Sequence, residues 1–295
     1  MILQDKKLET FIKSLKIKRY ISGPRLNIQL KPEIENKSGF AVFLTEENSI
    51  IKIRIRKTDQ SFQKEIFFYT SISKKHPCIK RYIPKLINYS NKNLQYLEIE
   101  YIKDYKTLGS IQEIKRINTD LLIKLIETIN KFHFKITKNK IITDKTKKIP
   151  KSTEKRLMKY FNINPKAFKE KINRIFKKNK YRTFITGDRN PKQILVNYEK
   201  NQIKLIDFNF CGIGNPSLDY TYLLLTLLPK YKKYEKLYLE TLKKKYKYDG
   251  SFWEVFSIDI AFRCIDNYHF WLIEKRNKKL AEYVKKLFYI YYSRI

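Results

Sequence analysis

The chain has 295 residues, with 64 Lys and Arg against 29 Asp and Glu (formal net charge +35), and is 42% hydrophobic and 15% aromatic. That composition excludes a disordered chain, and the length suits one large domain or two lobes sharing a cleft. Cys78, Cys211 and Cys264 are far apart and form no Cys-x-x-Cys pair, which argues against a zinc ribbon, a dithiol redox site or a disulfide scaffold and suits a reducing compartment.

The lysine excess comes with abundant Ile, Asn, Tyr and Phe and only 7 Gly, the pattern of codon drift in an AT-rich genome. We read the charge first as compositional. A polyanion-binding surface and attraction to a membrane surface are the other two readings. No long apolar core follows Met1 to Lys7, and the most apolar run, Tyr220 to Pro229, is ten residues, too short to span a bilayer. The expectation is a cytoplasmic protein with no membrane span.

Taken in order, residues 5–20 read as a charged amphipathic helix. From Leu26 to Arg56 the apolar period becomes two, with strands at Ile28–Leu30, Phe40–Leu44 and Ile50–Arg56. Glu46–Ser49 is the turn between the last two, and the three strands form an antiparallel meander. Residues 59–73 read as a helix. Strands follow at Pro84–Tyr89 and Leu94–Ile102. After Asp104 the pattern turns helical, with an apolar face over residues 119–134. Residues 138–152 hold six Lys and Pro150 and read as a surface insertion. Residues 165–179 are helical, Phe184–Ile185, Ile194–Val196 and Ile203–Ile206 are short strands, and helices dominate from 217 onward. The fold class is α+β, with a small sheet-rich part at 1–102 and a larger helical part at 103–295.

The chemistry concentrates in residues 184–222. Asp188 sits in a tight loop after Gly187, and Asp207 ends the next strand. A hairpin would bring both carboxylates to one edge, where hard anionic oxygens suit Mg²⁺ and phosphate chemistry. Gln193, five residues after Asp188, offers a neutral oxygen.

These residues resemble the aminoglycoside phosphotransferase and choline kinase group of the protein-kinase-like superfamily. Thr186-Gly187-Asp188, Asn190-Pro191 and Gln193-Ile194-Leu195 resemble that group's catalytic loop. Ile206-Asp207-Phe208 resembles its metal-binding segment, and Gly214-Asn215-Pro216 with Asp219 the motif that follows. Phe132-His133 resembles its Leu-His pair. The resemblance implies a two-lobed protein-kinase-like fold with a small antiparallel-sheet lobe and a larger helical one. It implies that Asp188 orients or deprotonates the attacking hydroxyl, and that Asp207 and Gln193 hold Mg²⁺ on the phosphates of ATP or GTP. Asp219 would brace the catalytic loop, and His133 would pack and hydrogen-bond beside it. Lys52, with Glu65 on the next helix, would hold the nucleotide phosphates. Ser38 and Gly39 would lie in the phosphate-covering turn. Glu98 to Ile102 resembles the interlobe hinge, where the Glu100 carbonyl and the Ile102 N–H would meet the base. Two positions depart from the group: Thr186 stands for its His and Gln193 for its Asn.

Residues 249–274 break the charge pattern, with Asp249, Glu254, Asp259, Asp266 and Glu274 against Arg263 alone, and with both tryptophans, Trp253 and Trp271. Acid plus aromatic suits a cationic or sugar-like ligand. Asp259, Asp266 and Trp271 are therefore the candidate acceptor-binding residues, and a buried helix with an aromatic core stripe is the other reading. The expected function is transfer of the γ-phosphate to a hydroxyl of an amino sugar, a choline-like alcohol or a sugar. The alternatives are a protein, lipid or saccharide-surface kinase and a catalytically weak pseudokinase. Asp188, Asp207 and Asp219 together argue against a specific nucleic-acid-binding module.

Overall fold

The computed structural model describes residues 6–22, 40–55, 61–92, 94–109, 111–137, 141, 149–178, 183–187, 189–227 and 234–295. The chain divides into two compact units. Unit 1 is Met1–Tyr105 with Lys204–Phe210, and unit 2 is Lys106–Ile203 with Cys211–Ile295.

Unit 1 opens with α1 (Lys6–Ser14) and carries a five-stranded sheet of β1 (Ile17–Ser22), β2 (Phe40–Thr45), β3 (Ser49–Arg54), β4 (Leu86–Asn91) and β5 (Gln95–Glu100). The strand order is β1-β2-β3-β5-β4, antiparallel throughout. The tight β2–β3 turn works because Asn48 takes a left-handed φ of 57° and Thr45 Oγ1 accepts from Ser49 N at 3.1 Å. In β3 the side chains alternate across the sheet. Ile51, Ile53 and the following Ile55 join a core with Ala41, Phe43 and the α1 residues Leu8 and Ile12. Lys52 therefore lies on the opposite face, toward α2 (Ser61–Phe67). That helix widens into a π turn at Phe68–Ile72, followed by the one-turn α3 (Ser73–Lys75).

Several expectations change here. The first helix ends at Ser14 rather than at residue 20, because Ile17–Ser22 pairs with β2 as an edge strand, and sheet pairing overrides helical pattern. The expected strand Ile28–Leu30 lies outside the described residues, so β1 supplies the first strand of the meander. Of the 138–152 segment, residues 138–140 and 142–148 lie outside the described residues. Its end is not insertion: Lys151 opens a helix at once behind Pro150, whose φ of −65° suits a helix entry.

Unit 2 contains β6 (Lys106–Thr107), α4 (Ile111–Lys115), α5 (Thr119–Lys131), α6 (Lys151–Phe161), α7 (Pro165–Lys178), β7 (Thr183–Ile185) and β8 (Ile194–Asn197). The chain passes into unit 1 within β9 (Gln202–Leu205) and returns at β10 (Gly212–Gly214). Then come α8 (Ser217–Leu227), α9 (Glu235–Tyr246), α10 (Gly250–His269), a π turn at Phe270–Glu274 and α11 (Lys278–Tyr292). Asn118, Asp249 and Asn277 cap α5, α10 and α11, each accepting from a backbone N–H three residues on. The apolar stripe of α5, Leu121, Leu122, Leu125, Ile126 and Ile129, is buried. Aromatic packing fills the core: Phe252 stacks on Tyr246 with centroids 3.9 Å apart, and Phe161 sits 4.2 Å from Phe288. No described helix is long and apolar enough to cross a membrane.

Phe161 is buried against Tyr268, Phe288 and Tyr289, whereas Met158 on the same helix is 60% exposed. Phe161→Ala should cost about 3–5 kcal/mol in denaturant titration, and Met158→Ala should stay within about 0.5 kcal/mol of the parent. Equal effects would contradict this packing.

Candidate active site

In unit 1 one ammonium group is shared by two carboxylates. Lys52 Nζ donates to Glu65 Oε2 at 2.6 Å and to Asp207 Oδ1 at 3.0 Å. Their side chains are 11%, 3% and 29% exposed respectively. The second oxygen of Glu65, Oε1, accepts from Phe208 N at 3.2 Å. Glu65 thus ties α2 both to β3 and to the segment after β9. Phe208 anchors that segment, stacking on Phe68 with centroids 3.6 Å apart and meeting Tyr69 edge-on. Asp207 itself has a φ of 62°, a backbone state that few non-glycine residues adopt without compensating contacts. The Phe40 ring, 4.0 Å from Lys52 Nζ, closes the remaining side of the ammonium.

The electrostatics follow from burial. Burial opposes charge on Lys52, but Glu65 and Asp207 outweigh it and hold the ammonium above the usual lysine range. One cation against two anions leaves the trio with a formal charge of −1. The exposed part of Asp207 is where a further cation would be accommodated. Among the described residues no group of three or more His, Cys, Asp or Glu forms a protein-only metal cage. Hard oxygen donors in small number are the set that Mg²⁺ takes when phosphates and water complete its shell.

In unit 2 the organising residue is Asp219, 0% exposed in the first turn of α8. Its Oδ1 accepts from Gly187 N at 2.7 Å, and its Oδ2 from Thr186 N at 2.9 Å and His133 Nε2 at 3.0 Å. The carboxylate therefore fixes the backbone that leads into position 188. Gly187 has a φ of 94°, where a side chain would be strained. β7 and β10 pair with Gly214 opposite Thr183 and Gly212 opposite Ile185, which aligns the Thr186–Gly187 loop with the start of α8. A Cβ at Gly214 would come within 2.8 Å of Ile185 Cδ1, so a side chain there would have to displace the end of Ile185. Asn215 Oδ1 then accepts from Ser217 N at 2.9 Å as α8 begins. Behind His133, Tyr246 OH lies 3.4 Å from Nδ1 and donates to Asn130 Oδ1 at 3.0 Å. Burial pushes the Asp219 carboxyl up, but His133, Arg189 and the Thr186 N–H outweigh it and hold it below the usual carboxylate range.

The expected site residues fall as follows. Lys52, Glu65 and Asp207 meet in unit 1, and Asp219 and His133 meet in unit 2. Gln193 is buried at the end of a 3₁₀ turn that Asn190 caps. Glu100 ends β5 opposite Ser49, its Oε2 accepting from Lys85 N at 3.1 Å, and Ile102 follows it. Asp188, Ser38 and Gly39 lie outside the described residues. Two of the acceptor trio are engaged within the protein. Asp259 is buried, its Oδ2 held by Arg263 Nε at 2.8 Å and by the Thr221 hydroxyl. Asp266 pairs instead with Arg156 Nη1 at 2.8 Å and with Thr153 Oγ1 at 3.1 Å. Phe252 and Phe256 are core. Trp271 sits half-buried in the π turn after α10.

Sequence reasoning missed Arg189, a fully buried guanidinium beside position 188 whose charge acts on Asp219. It also missed Tyr246 and Asn130. Arg263 carried a signal, since Asp259 and Arg263 are four apart on one helix. Asn130 is three residues before His133 at the end of α5, whereas Tyr246 had no signal, being brought there only by the packing of α9 on α5.

The antiparallel sheet unit, the helical unit and these two carboxylate centres define a protein of the protein-kinase-like superfamily. Residues 94–248 match the ecdysteroid kinase-like family, and the chain belongs to that family. Among solved structures it is similar to APH(2")-IIia in complex with GDP and kanamycin, with a TM-score of 0.57, 14% identity and 97% of each chain covered. Aminoglycoside phosphotransferase APH(2'')-Ib with ADP gives 0.57 and 16%, covering 97% of this chain and 99% of that one. Choline kinase LicA from Streptococcus pneumoniae gives 0.55 and 13%, covering 98% and 99%. No curated protein sequence matches the chain.

A carboxylate with a depressed pKa contributes stability that is complete above its unfolded value, about 3.9, and is lost as pH falls through its folded value. Asp219→Asn should be about 3–5 kcal/mol less stable than the parent at pH 7. That gap should hold down to roughly pH 4 and shrink below it. A gap that stays constant through the acid range in denaturant titrations would contradict the role given to Asp219.

Proposed function

We propose that the chain is a phosphotransferase that moves the γ-phosphate of Mg²⁺-ATP or Mg²⁺-GTP to a hydroxyl of a small molecule. The observation that carries this reading is the Lys52–Glu65–Asp207 trio, with Lys52 Nζ at 2.6 Å and 3.0 Å from its two carboxylates. Such a group binds and orients phosphate: the lysine donates to it, one carboxylate fixes the lysine, and the other is left for a metal. Family membership and the nucleotides in the names of the structural neighbours support the same reading.

In this reading Asp207 and Gln193 would hold Mg²⁺, which when bound supplies charge neutralisation at the phosphates. Lys52 would donate to the phosphate oxygens, with Ser38 and Gly39 covering them. The Glu100 carbonyl and Ile102 N–H would meet the base. Asp188 would accept the proton of the attacking hydroxyl as its oxygen bonds to the γ-phosphorus. The bond to the bridging oxygen breaks in the same transfer, and the nucleoside diphosphate leaves. Asp219 and His133 would act by holding the Thr186–Gly187 backbone, and so the carboxylate that follows. With Asp259 and Asp266 committed to Arg263 and Arg156, we assign the acceptor as a small-molecule alcohol without requiring that it be cationic. Three cysteines that form no disulfide suit a reducing compartment, and we place the protein in the cytoplasm.

The test is phosphorus NMR of Mg²⁺-ATP and Mg²⁺-GTP with a panel of hydroxyl compounds. A new phosphomonoester signal is expected. Asp188→Asn should lower kcat by about 10²–10⁴ while nucleotide affinity holds within about threefold. Unchanged turnover in that variant would overturn the assignment.

Asp207→Asn should remove Mg²⁺-dependent nucleotide binding measured by calorimetry, because an amide cannot supply the anionic oxygen. Undiminished metal-dependent binding in that variant would end the role given to Asp207.

A further inference from the structure

We propose that unit 2 carries a second ligand site, for a small amphipathic anion: a flat apolar or aromatic body joined to a phosphate, sulfonate or carboxylate group. The site does not rest on the phosphotransfer reading. A cavity of about 750 Å³ is formed by the C-terminal half of α9, the first turns of α10 and Arg294 after α11. That volume is in the range of small-molecule sites.

Its apolar wall is Trp253 with Leu239. The indole is fixed before any ligand arrives. Its Nε1 donates to Tyr246 O at 2.9 Å, and its ring meets Phe252 and Phe256 edge-on at 5.1 Å and 5.3 Å. With its polar edge spent, the ring offers the cavity an apolar surface at little ordering cost. The floor is open at Gly250, where an added Cβ would meet nothing within 4 Å.

The charge of the lining is unbalanced. Lys243, Lys244, Lys247 and Arg294 face two acids, Glu240 and Glu254. Both acids are engaged by lysines outside the lining, Glu240 by Lys236 at 4.0 Å and Glu254 by Lys178 at 3.0 Å. None of the four cations has a carboxylate partner among the described residues. Like charges gathered at one concavity repel, and an anion placed among them relieves that repulsion. Arg294 lies over the Tyr291 ring and Lys247 over the Tyr248 ring, contacts that leave their charge uncompensated, so a rigid aromatic wall beside cations without a carboxylate partner selects a ligand with both characters. This is the opposite of the cationic ligand that the acids of α10 alone would favour.

The probe is 8-anilinonaphthalene-1-sulfonate, read by energy transfer from Trp253 in a Trp271→Phe background, where Trp253 is the remaining tryptophan. Saturable one-to-one binding is expected. The uncharged N-phenyl-1-naphthylamine should bind the unaltered protein at least about tenfold more weakly. Lys243→Gln with Lys247→Gln, and separately Gly250→Phe, which puts a ring into the cavity from a position where a Cβ has open space, should each weaken the sulfonate by about tenfold or more. Lys279→Gln, exposed at the N-terminal end of α11 and outside the lining, should change it less than about twofold. The proposal is overturned if the neutral and anionic probes bind equally, or if neither the double lysine variant nor Gly250→Phe alters the affinity.

Discussion

Unit 1 depends on one buried ammonium held between two carboxylates. A lysine in an apolar interior is costly unless it is paired, and removing one partner of such a pair is more costly than the pair is stabilising. Lys52 escapes that cost because alternation along β3 turns it away from Ile51 and Ile53 and toward Glu65. Glu65 in turn fixes Phe208 N, and Phe208 is wedged against Phe68 and Tyr69. Sheet, helix and the Lys204–Phe210 segment are thereby joined by one set of charges. The leftover negative charge and the strained backbone at Asp207 are hard to account for by stability alone. In the function we propose, that charge is offered to a metal-bound polyphosphate.

Unit 2 solves a different problem, that of holding a loop still. Asp219 uses both oxygens on consecutive backbone N–H groups, Thr186 and Gly187, and takes His133 as a third donor. A buried carboxylate satisfied in this way stays ionised, and its hydrogen bonds are stronger for being charge-assisted. Thr186 departs from the histidine that the resemblance leads one to expect there, yet the side-chain donor to Asp219 is a histidine, His133, just after α5. The departure in the loop is thus compatible with an intact brace, because backbone N–H groups, which do not depend on side-chain identity, do most of the bonding.

What was legible in the sequence was what local chemistry determines. Strands β2 and β3 showed in their period of two, α5 in its apolar face, and the 186–219 stretch in its ordered Gly, Asp, Asn and Pro residues. What was hidden depends on long-range packing. β1 reads as the end of a helix because its partner is more than twenty residues away. The π turn at Phe68–Ile72 interrupts the helical period without any Gly or Pro to announce it. The partners of the α10 acids were not legible together. Arg263 is on the same helix, but Arg156 comes from α6, which sequence reasoning did not see.

The most direct measurement of the central claim is a calorimetric titration of ATP into the protein and into its Lys52→Met variant, each with and without Mg²⁺. The account predicts binding in the parent that strengthens at least about tenfold with the metal and is lost in the variant, with the variant still folded by circular dichroism. Metal-indifferent binding, or equal affinity in the two proteins, would contradict it.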